Sequence, residues 1–303
     1  MRLFRSILFL SLVIGLAGCS SLSANDPTPD ALPPTPVPTL PPTLTPTPTL
    51  VPTATPLGCL SKPGQVLTGS LDTSKPPQEF LVYLPPCYDE NPDMRYPVLY
   101  LLHGQTYTDI QWVHMGATAM ADGLIEGGHA APFIMVFPDD RYWNLPPGPG
   151  FGDRLLNMVI PYIDSHYRTL ADAPHRALGG LSRGGGWAVH MALTQYKTFG
   201  IVGLHSPVIF DDDAAFLDKL FAAVPSNAWP HLWVDGGDRD GEIGNIRWFE
   251  SMLTAYEVPH EWRQYAGDHT EGYWEAHLLE YLQWYTAEFA LAASPAASPT
   301  PTP

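Results

Sequence analysis

The sequence is short of positive charge and of cysteine. Its 303 residues carry 15 Lys and Arg against 31 Asp and Glu, a formal net charge of −16. Phosphate recognition needs clustered basic side chains, so this balance excludes a nucleic-acid partner. It equally excludes electrostatic attachment to anionic lipid. Acidity of this kind reports solubility and says nothing of mechanism. Only three cysteines occur, and no Cys/His cluster has zinc-ligand spacing. Asp238-Arg239-Asp240-Gly241 places its glycine too early for a calcium loop. The Gly-rich segment at 179–186 lacks the Lys-Ser/Thr ending of a phosphate loop. No metal or organic cofactor is expected, and no internal repeat is visible.

The longest apolar run near the start, Ile7 to Leu16, is too short to span a bilayer comfortably. With Arg2 and Arg5 before it, it reads as an export signal. Leu16-Ala17-Gly18-Cys19 resembles the bacterial lipobox, which predicts lipidation of Cys19 and loss of residues 1–18. The expected location is the outer face of the cytoplasmic membrane or the cell surface, with the lipid as the only membrane contact. Cys59 and Cys87 then remain as an even pair in an exported protein, and a disulfide between them is expected. Residues 20–57 are rich in Pro and Thr. Such a stretch cannot bury a core, and extended it would reach about 100 Å. Residues 293–303 have the same character, leaving 58–292 as one domain with a sizeable core.

Within that domain short apolar strands alternate with helical stretches. Strands are predicted at Glu79–Leu84, Pro97–Leu102, Phe133–Phe137, Arg176–Gly179, Ile201–Leu204, His231–Val234 and Glu261–Tyr265. Helices are predicted at Arg154–His166, Gly184–Tyr196, Ile243–Tyr256 and Tyr273–Ala290. Pro97-Val98-Leu99-Tyr100-Leu101-Leu102 is almost continuously apolar, as a strand covered on both faces must be. The alternation predicts an α/β fold with a mostly parallel sheet and helices on both faces.

The sharpest motif is Gly180-Leu181-Ser182-Arg183-Gly184, a G-x-S-x-G between a predicted strand and a predicted helix. A serine on so tight a turn sits in a strained backbone conformation, and residues two before and two after come too close for side chains. The turn presents the hydroxyl beside a helix N-terminus, which favours developing negative charge. A Gly-rich turn that merely packs on the sheet is the bland alternative. Leu102-His103-Gly104-Gln105 ends another apolar strand. The backbone N–H groups of Gln105 and Arg183 are the expected oxyanion hole, with His103 shaping the loop.

A nucleophilic serine of this kind is followed in the chain by an acid and then a histidine. His231-Leu232-Trp233-Val234-Asp235-Gly236-Gly237-Asp238-Arg239-Asp240 supplies the acid. Asp240 is preferred, Asp238 is second, and Asp235 lies too near the strand. Gly267-Asp268-His269 follows the last predicted strand and supplies the base. His190, His205, His260 and His277 are worse placed.

These segments together resemble the Putative esterase family of α/β-hydrolases, the group of esterase D, feruloyl esterases, enterochelin esterases and mycolyltransferases. The resemblance runs from about Glu79 to Tyr285. It is carried by Tyr96 to Gly104, Ile160-Pro161-Tyr162-Ile163-Asp164 with Tyr167-Arg168, Gly179 to Gly185, Gly237 to Asp240, and Gly267-Asp268-His269. It implies the α/β-hydrolase fold and a serine esterase acting on a small-molecule or carbohydrate-linked ester, with Ser182, Asp240 and His269 catalytic. Two departures stand out. The family often has Gly-Gly-His-Asp where this chain has Gly267-Asp268-His269-Thr270, and Tyr142 to Gly148 matches none of its motifs.

Two rival readings use the same residues. An acyltransferase would pass the acyl group to a sugar or lipid in place of water. A non-catalytic surface-binding lipoprotein would use Trp112, Trp143 or Trp187 to stack on sugars.

Overall fold

The computed structural model describes residues 58–140 and 150–293. Cys19, the signal and linker segments, Tyr142 to Gly148 with Trp143, and the tail from Ser294 lie outside the described residues. Eight strands form one sheet: β1 (Gln65–Leu71), β2 (Gln78–Leu84), β3 (Val98–Leu102), β4 (Ile134–Pro138), β5 (Arg176–Leu181), β6 (Ile201–His205), β7 (His231–Gly237) and β8 (His260–Tyr265). Their spatial order is β1-β2-β4-β3-β5-β6-β7-β8. The pairs β1–β2 and β2–β4 are antiparallel and all the others are parallel.

The continuous apolar runs are the central strands, and each feeds two cores. In β3 the side chains of Val98, Tyr100 and Leu102 enter one core, while Leu99 and Leu101 enter the other. That division follows from the two-residue period of a strand. The first core is covered by Phe151, Ile163, Val189, Phe221 and Phe249, all from helical segments. The second is covered by Ala121 and Leu124 of the helix Ala117–Glu126, and by Leu278, Tyr281 and Tyr285 of the helix Glu271–Ala293.

Three local differences from the sequence-based expectation have physical causes. Strand β1 is absent from that expectation because Gln65-Val66-Leu67-Thr68-Gly69-Ser70-Leu71 is mostly exposed. Its pairing with β2 from Gln65↔Leu84 to Leu71↔Gln78 makes it a strand, and burial does not. The expected helix Arg154–His166 is instead a turn at Phe151–Arg154, a wide π-turn at Leu155–Val159, and a helix at Ile160–His166. Pro161 has no N–H to donate one turn back, and the wide turn ends beside it. The helices Ala117–Glu126, Asp211–Ala214 and Leu217–Ala223 were not anticipated. The first of these begins at a glycine, with no capping side chain to mark it.

Cys59 and Cys87 form a disulfide with their Cα atoms 5.1 Å apart. It joins the chain before β1 to the turn after β2.

Candidate active site

The loops that follow β3, β5, β6, β7 and β8 lie at the carboxyl edge of the parallel strands. In open α/β sheets that edge is where ligands bind. Ser182 lies between β5 and the helix Arg183–Thr194, with φ 54° and ψ −118°. A non-glycine residue at positive φ is strained, by about 1–3 kcal/mol. The two motif glycines show why the turn can be so tight. A Cβ on Gly180 would collide with the Gly184 carbonyl, and one on Gly184 with the Leu102 carbonyl. Both polar backbone groups of Ser182 are held from the end of β6 and the segment just after it. Its N–H donates to His205 O at 3.1 Å, and its carbonyl accepts from the Val208 N–H at 3.1 Å.

The Ser182 hydroxyl lies 2.8 Å from His269 Nε2. His269 Nδ1 lies 2.9 Å from each oxygen of Asp240. With Asp240 ionised, Nδ1 carries the proton and Nε2 keeps its lone pair for the serine O–H, an assignment taken from the hydrogen-bond network. Trp274 meets the His269 ring edge-on, with centroids 5.0 Å apart. Asp240 is buried and also accepts the Glu242 N–H at 2.7 Å. Burial pushes its carboxyl up, but the hydrogen bonds from His269 and the Glu242 N–H outweigh that and leave it below the usual carboxylate range. The Ser206 hydroxyl adds a smaller lowering influence without meeting hydrogen-bond geometry.

Neither of the other two carboxylates considered for the acid reaches His269. Asp238 accepts the Gly267 N–H at 2.9 Å, so it braces the loop that carries the histidine. Asp235 is fully buried and bonds His205.

The other half of the site is the turn after β3. Gly104 packs directly on the serine turn, and a Cβ there would lie 3.6 Å from that of Ser182. Gln105 follows it and is exposed, while Arg183 opens the helix behind Ser182. His103 is buried. Its Nδ1 meets Gly104 O at 2.7 Å and its Nε2 accepts the Asp140 N–H at 2.7 Å. The ring therefore ties this turn to the end of β4. Asp140 in turn accepts from Arg183 Nε at 2.9 Å and Trp187 Nε1 at 2.8 Å. Burial pushes Asp140 up, against the pull of the Arg183 guanidinium. A cavity of about 350 Å³ beside the helix is lined by Arg183, Trp187, His190, Phe210 and Asp153 among others.

Sequence reasoning missed Gln111 and Asp140, and it set His205 and Asp235 aside as base and acid without seeing that they pair. Each acts through a contact between segments far apart in the chain, so no local spacing marks it. Trp112, offered above for stacking on sugars, is only 1% exposed and donates to Leu102 O at 2.9 Å. It is a core residue. Among the described residues no group of three or more His, Cys, Asp and Glu could hold a metal ion.

A mostly parallel sheet, antiparallel at one edge, with a serine on a strand-to-helix turn at its carboxyl end, defines an α/β-hydrolase fold. Residues 74–285 match the family model described as Putative esterase, and the chain belongs to that family. It is 34% identical over 199 residues to an endo-1,4-beta-xylanase/feruloyl esterase of Xylanibacter ruminicola, covering 62% of this chain and 26% of that protein. It is 33% identical over 226 residues to an esterase of Mycobacterium tuberculosis, covering 57% of this chain and 48% of that one. The chain thus spans about a quarter and about half of the lengths of these relatives. Among solved structures, a ferulic acid esterase superposes with a TM-score of 0.67 at 26% identity, over 75% of this chain and 100% of the other. An S-formylglutathione hydrolase from Staphylococcus aureus gives 0.63 at 20% identity, over 74% and 98%, a likeness of fold.

Proposed function

We propose that the chain is an extracytoplasmic serine esterase that hydrolyses carboxylic esters through an acyl-enzyme on Ser182. The observation that carries this reading is the continuous path from Ser182 Oγ through His269 to Asp240, with contacts of 2.8 and 2.9 Å. His269 Nε2 takes the hydroxyl proton as Oγ attacks the ester carbonyl. Asp240 holds the ring in the required tautomer and stabilises the imidazolium. The oxygen that becomes negative is received by the N–H groups of Gln105 and Arg183, at the positive end of a helix. His269 then returns its proton to the departing alcohol, leaving the acyl group on Oγ. A water deprotonated by the same nitrogen attacks that acyl group, and the proton passes back to Ser182 as the acid leaves. Each cycle consumes one ester and one water, and the enzyme ends as it began.

The names of the relatives put feruloyl esters first among substrates to test. Export is supported by the Leu16 to Cys19 motif and by the Cys59–Cys87 disulfide, a bond that persists in oxidising compartments. The same motif supports attachment through lipid on Cys19.

A fluorophosphonate probe applied to the intact protein tests the central step. Labelling that disappears in Ser182→Ala, together with turnover of at least one of an acetyl, feruloyl or longer-chain ester, is expected. An unlabelled folded protein would refute the reading. Transfer of the acyl group to an added sugar or alcohol in preference to water would move the assignment to an acyltransferase.

A further inference from the structure

Asp235 takes no part in the chemistry just described, yet it sits where the loops of the site meet. Its carboxylate is fully buried and is approached by four donors. His205 Nδ1 lies 2.7 Å and Trp233 Nε1 3.1 Å from Oδ1, while the hydroxyls of Tyr273 and Tyr281 lie 2.8 and 2.9 Å from Oδ2. The far nitrogen of His205 meets the Tyr285 hydroxyl at 2.9 Å, and the Tyr281 ring stacks on the imidazole at 3.8 Å. Burial, reinforced by the Asp235 charge, pushes the Tyr273 and Tyr281 phenols up, so both remain protonated donors.

Two of these contacts lead to the reacting residues by separate routes. His205 is the last residue of β6, and its carbonyl takes the Ser182 N–H. Ser206 follows at φ 45°, with its N–H on the Asp235 carbonyl at 2.9 Å, and Val208 then returns to the Ser182 carbonyl. The segment 205–208 thus grips both backbone groups of a strained serine, and Asp235 backs that segment through its side chain and its main chain. Such backbone strain persists only where the surroundings over-determine it. On the other route, the Tyr273 ring lies directly under Gly267, where a Cβ would meet Tyr273 Cδ2 at 2.5 Å. The Tyr273 N–H also bonds Thr270 O at 3.0 Å. Gly267 and Thr270 flank the loop that carries His269. One buried carboxylate therefore reaches the nucleophile turn through His205 and the base loop through Tyr273.

We infer that Asp235 is a positioning residue, with His205 and Tyr273 as its two arms, that holds Ser182 Oγ and His269 Nε2 in reacting register. The inference rests on the esterase reading of Ser182 and adds to it a group remote from the substrate. A misplacement of about 1 Å can lower a rate about 100-fold, so loosening either arm acts on turnover more than on binding.

The test uses the whole chain, with active sites counted by fluorophosphonate titration and turnover of p-nitrophenyl acetate expressed per titrated site. Tyr273→Phe keeps the ring and deletes one donor, and His205→Gln keeps a donor but not the reach to Tyr285. Each is expected to lower kcat per site about tenfold to 100-fold, with KM within about twofold and labelling slowed to match. The double variant is expected to lose little more than the worse single one, because Ser182 Oγ and His269 Nε2 share one register that either loss already breaks. A merely structural role lowers the number of titrated sites and leaves kcat per site unchanged. That result in both variants would overturn the inference, as would losses that multiply in the double variant. If Tyr273→Phe gives no folded protein, His205→Gln alone decides. A wild-type protein without labelling removes the esterase reading and this inference with it, whereas a labelled wild type with undiminished variants removes only the inference.

Discussion

Gln111 holds Gly104 through a single hydrogen bond, the Gly104 N–H donating to Gln111 Oε1 at 2.8 Å. Gln111 is only 1% exposed, and its amide reaches the Glu271 carboxylate at 3.5 Å, two residues beyond His269. The side chain therefore spans from the turn after β3 to the segment that follows His269. Gln111→Leu is expected to lower kcat on a chromogenic ester by about 10- to 100-fold, because the turn that carries Gln105, the proposed oxyanion donor, loses its anchor. Steady-state kinetics beside a melting curve check this. Full kcat in a folded variant would show that the turn keeps its shape unaided.

Removing the proposed nucleophile separates chemistry from strain. Ser182→Ala and His269→Ala should each lower kcat by about 10⁶-fold, with the double variant no worse, since the residues act as a unit. Ser182→Gly is equally inactive but should be about 1 kcal/mol more stable than Ser182→Ala, because φ 54° and ψ −118° suit glycine alone. Urea denaturation of the two variants measures the difference. Equal midpoints would mean that the turn relaxes once the hydroxyl is gone.

The glycines are not equivalent. Gly180→Ala would drive a methyl group into the Gly184 carbonyl, backbone against backbone. A loss of about 3 kcal/mol or more is expected, and activity goes with it. Gly123 sits inside the helix Ala117–Glu126 with no atom within 4 Å of a Cβ built there. Gly123→Ala should stabilise the protein by up to about 1 kcal/mol and leave turnover unchanged. Paired denaturation curves decide both.

The disulfide closes a loop with a sequence separation of 28. In the chain-entropy treatment, opening it costs about 3.5 kcal/mol. Cys59→Ser with Cys87→Ser should lower the urea midpoint accordingly and make it insensitive to added reductant. A wild-type midpoint that reductant does not move would show the bond to be absent or unimportant in solution.

Acid should weaken one contribution in a definite direction. Burial pushes the Asp240 carboxyl up, but hydrogen bonds to its ionised form outweigh this and hold it below its ordinary range. A carboxyl lowered on folding stabilises fully above its unfolded value of about 3.9, and that stabilisation is lost as pH falls through the lower folded value. The advantage of wild type over Asp240→Asn in urea denaturation should therefore persist at pH 5 and narrow below about pH 4. An advantage that grows on acidification would reverse the sign.

Much of the fold was legible because burial writes itself into composition. Strand β3 is buried at every residue and apolar at every residue, and the same holds for most of β4. Strand β1 was illegible for the opposite reason, being mostly exposed and defined by its partner. Ser182, Asp240 and His269 could be picked out because a tight turn demands glycine and the loop order is fixed by topology, and the fold brings the three within hydrogen-bond reach of one another. Asp240 is preferred over Asp238 from the residues alone, the family resemblance strengthens that choice, and it is the Asp240 carboxylate that lies against His269. The carbonyl-side turn of Gly237 delivers Asp240 to His269, and Asp238 is spent on Gly267. Gln111 left no local trace, and Asp235 stood out only as a poorly placed acid, with nothing to mark its buried partners. A buried glutamine or aspartate looks like any other until the segments it joins are folded against one another.

The turn bearing Asp240 and the turn bearing His269 are stitched together before either meets a substrate. Asp238 accepts the Gly267 N–H, the Arg239 N–H donates to the Gly267 carbonyl, and the Arg239 guanidinium grips Asp268 through two bonds of 3.1 and 3.2 Å. Two strands of the sheet thus deliver a single hydrogen-bonded cassette, in which His269 already lies against the Asp240 carboxylate. Anyone reshaping this site meets a Ser182 turn packed against the turn after β3 and hydrogen-bonded to the end of β6. On the opposite side an insertion into either turn displaces both residues at once, so redesign there has to move the two turns as one piece.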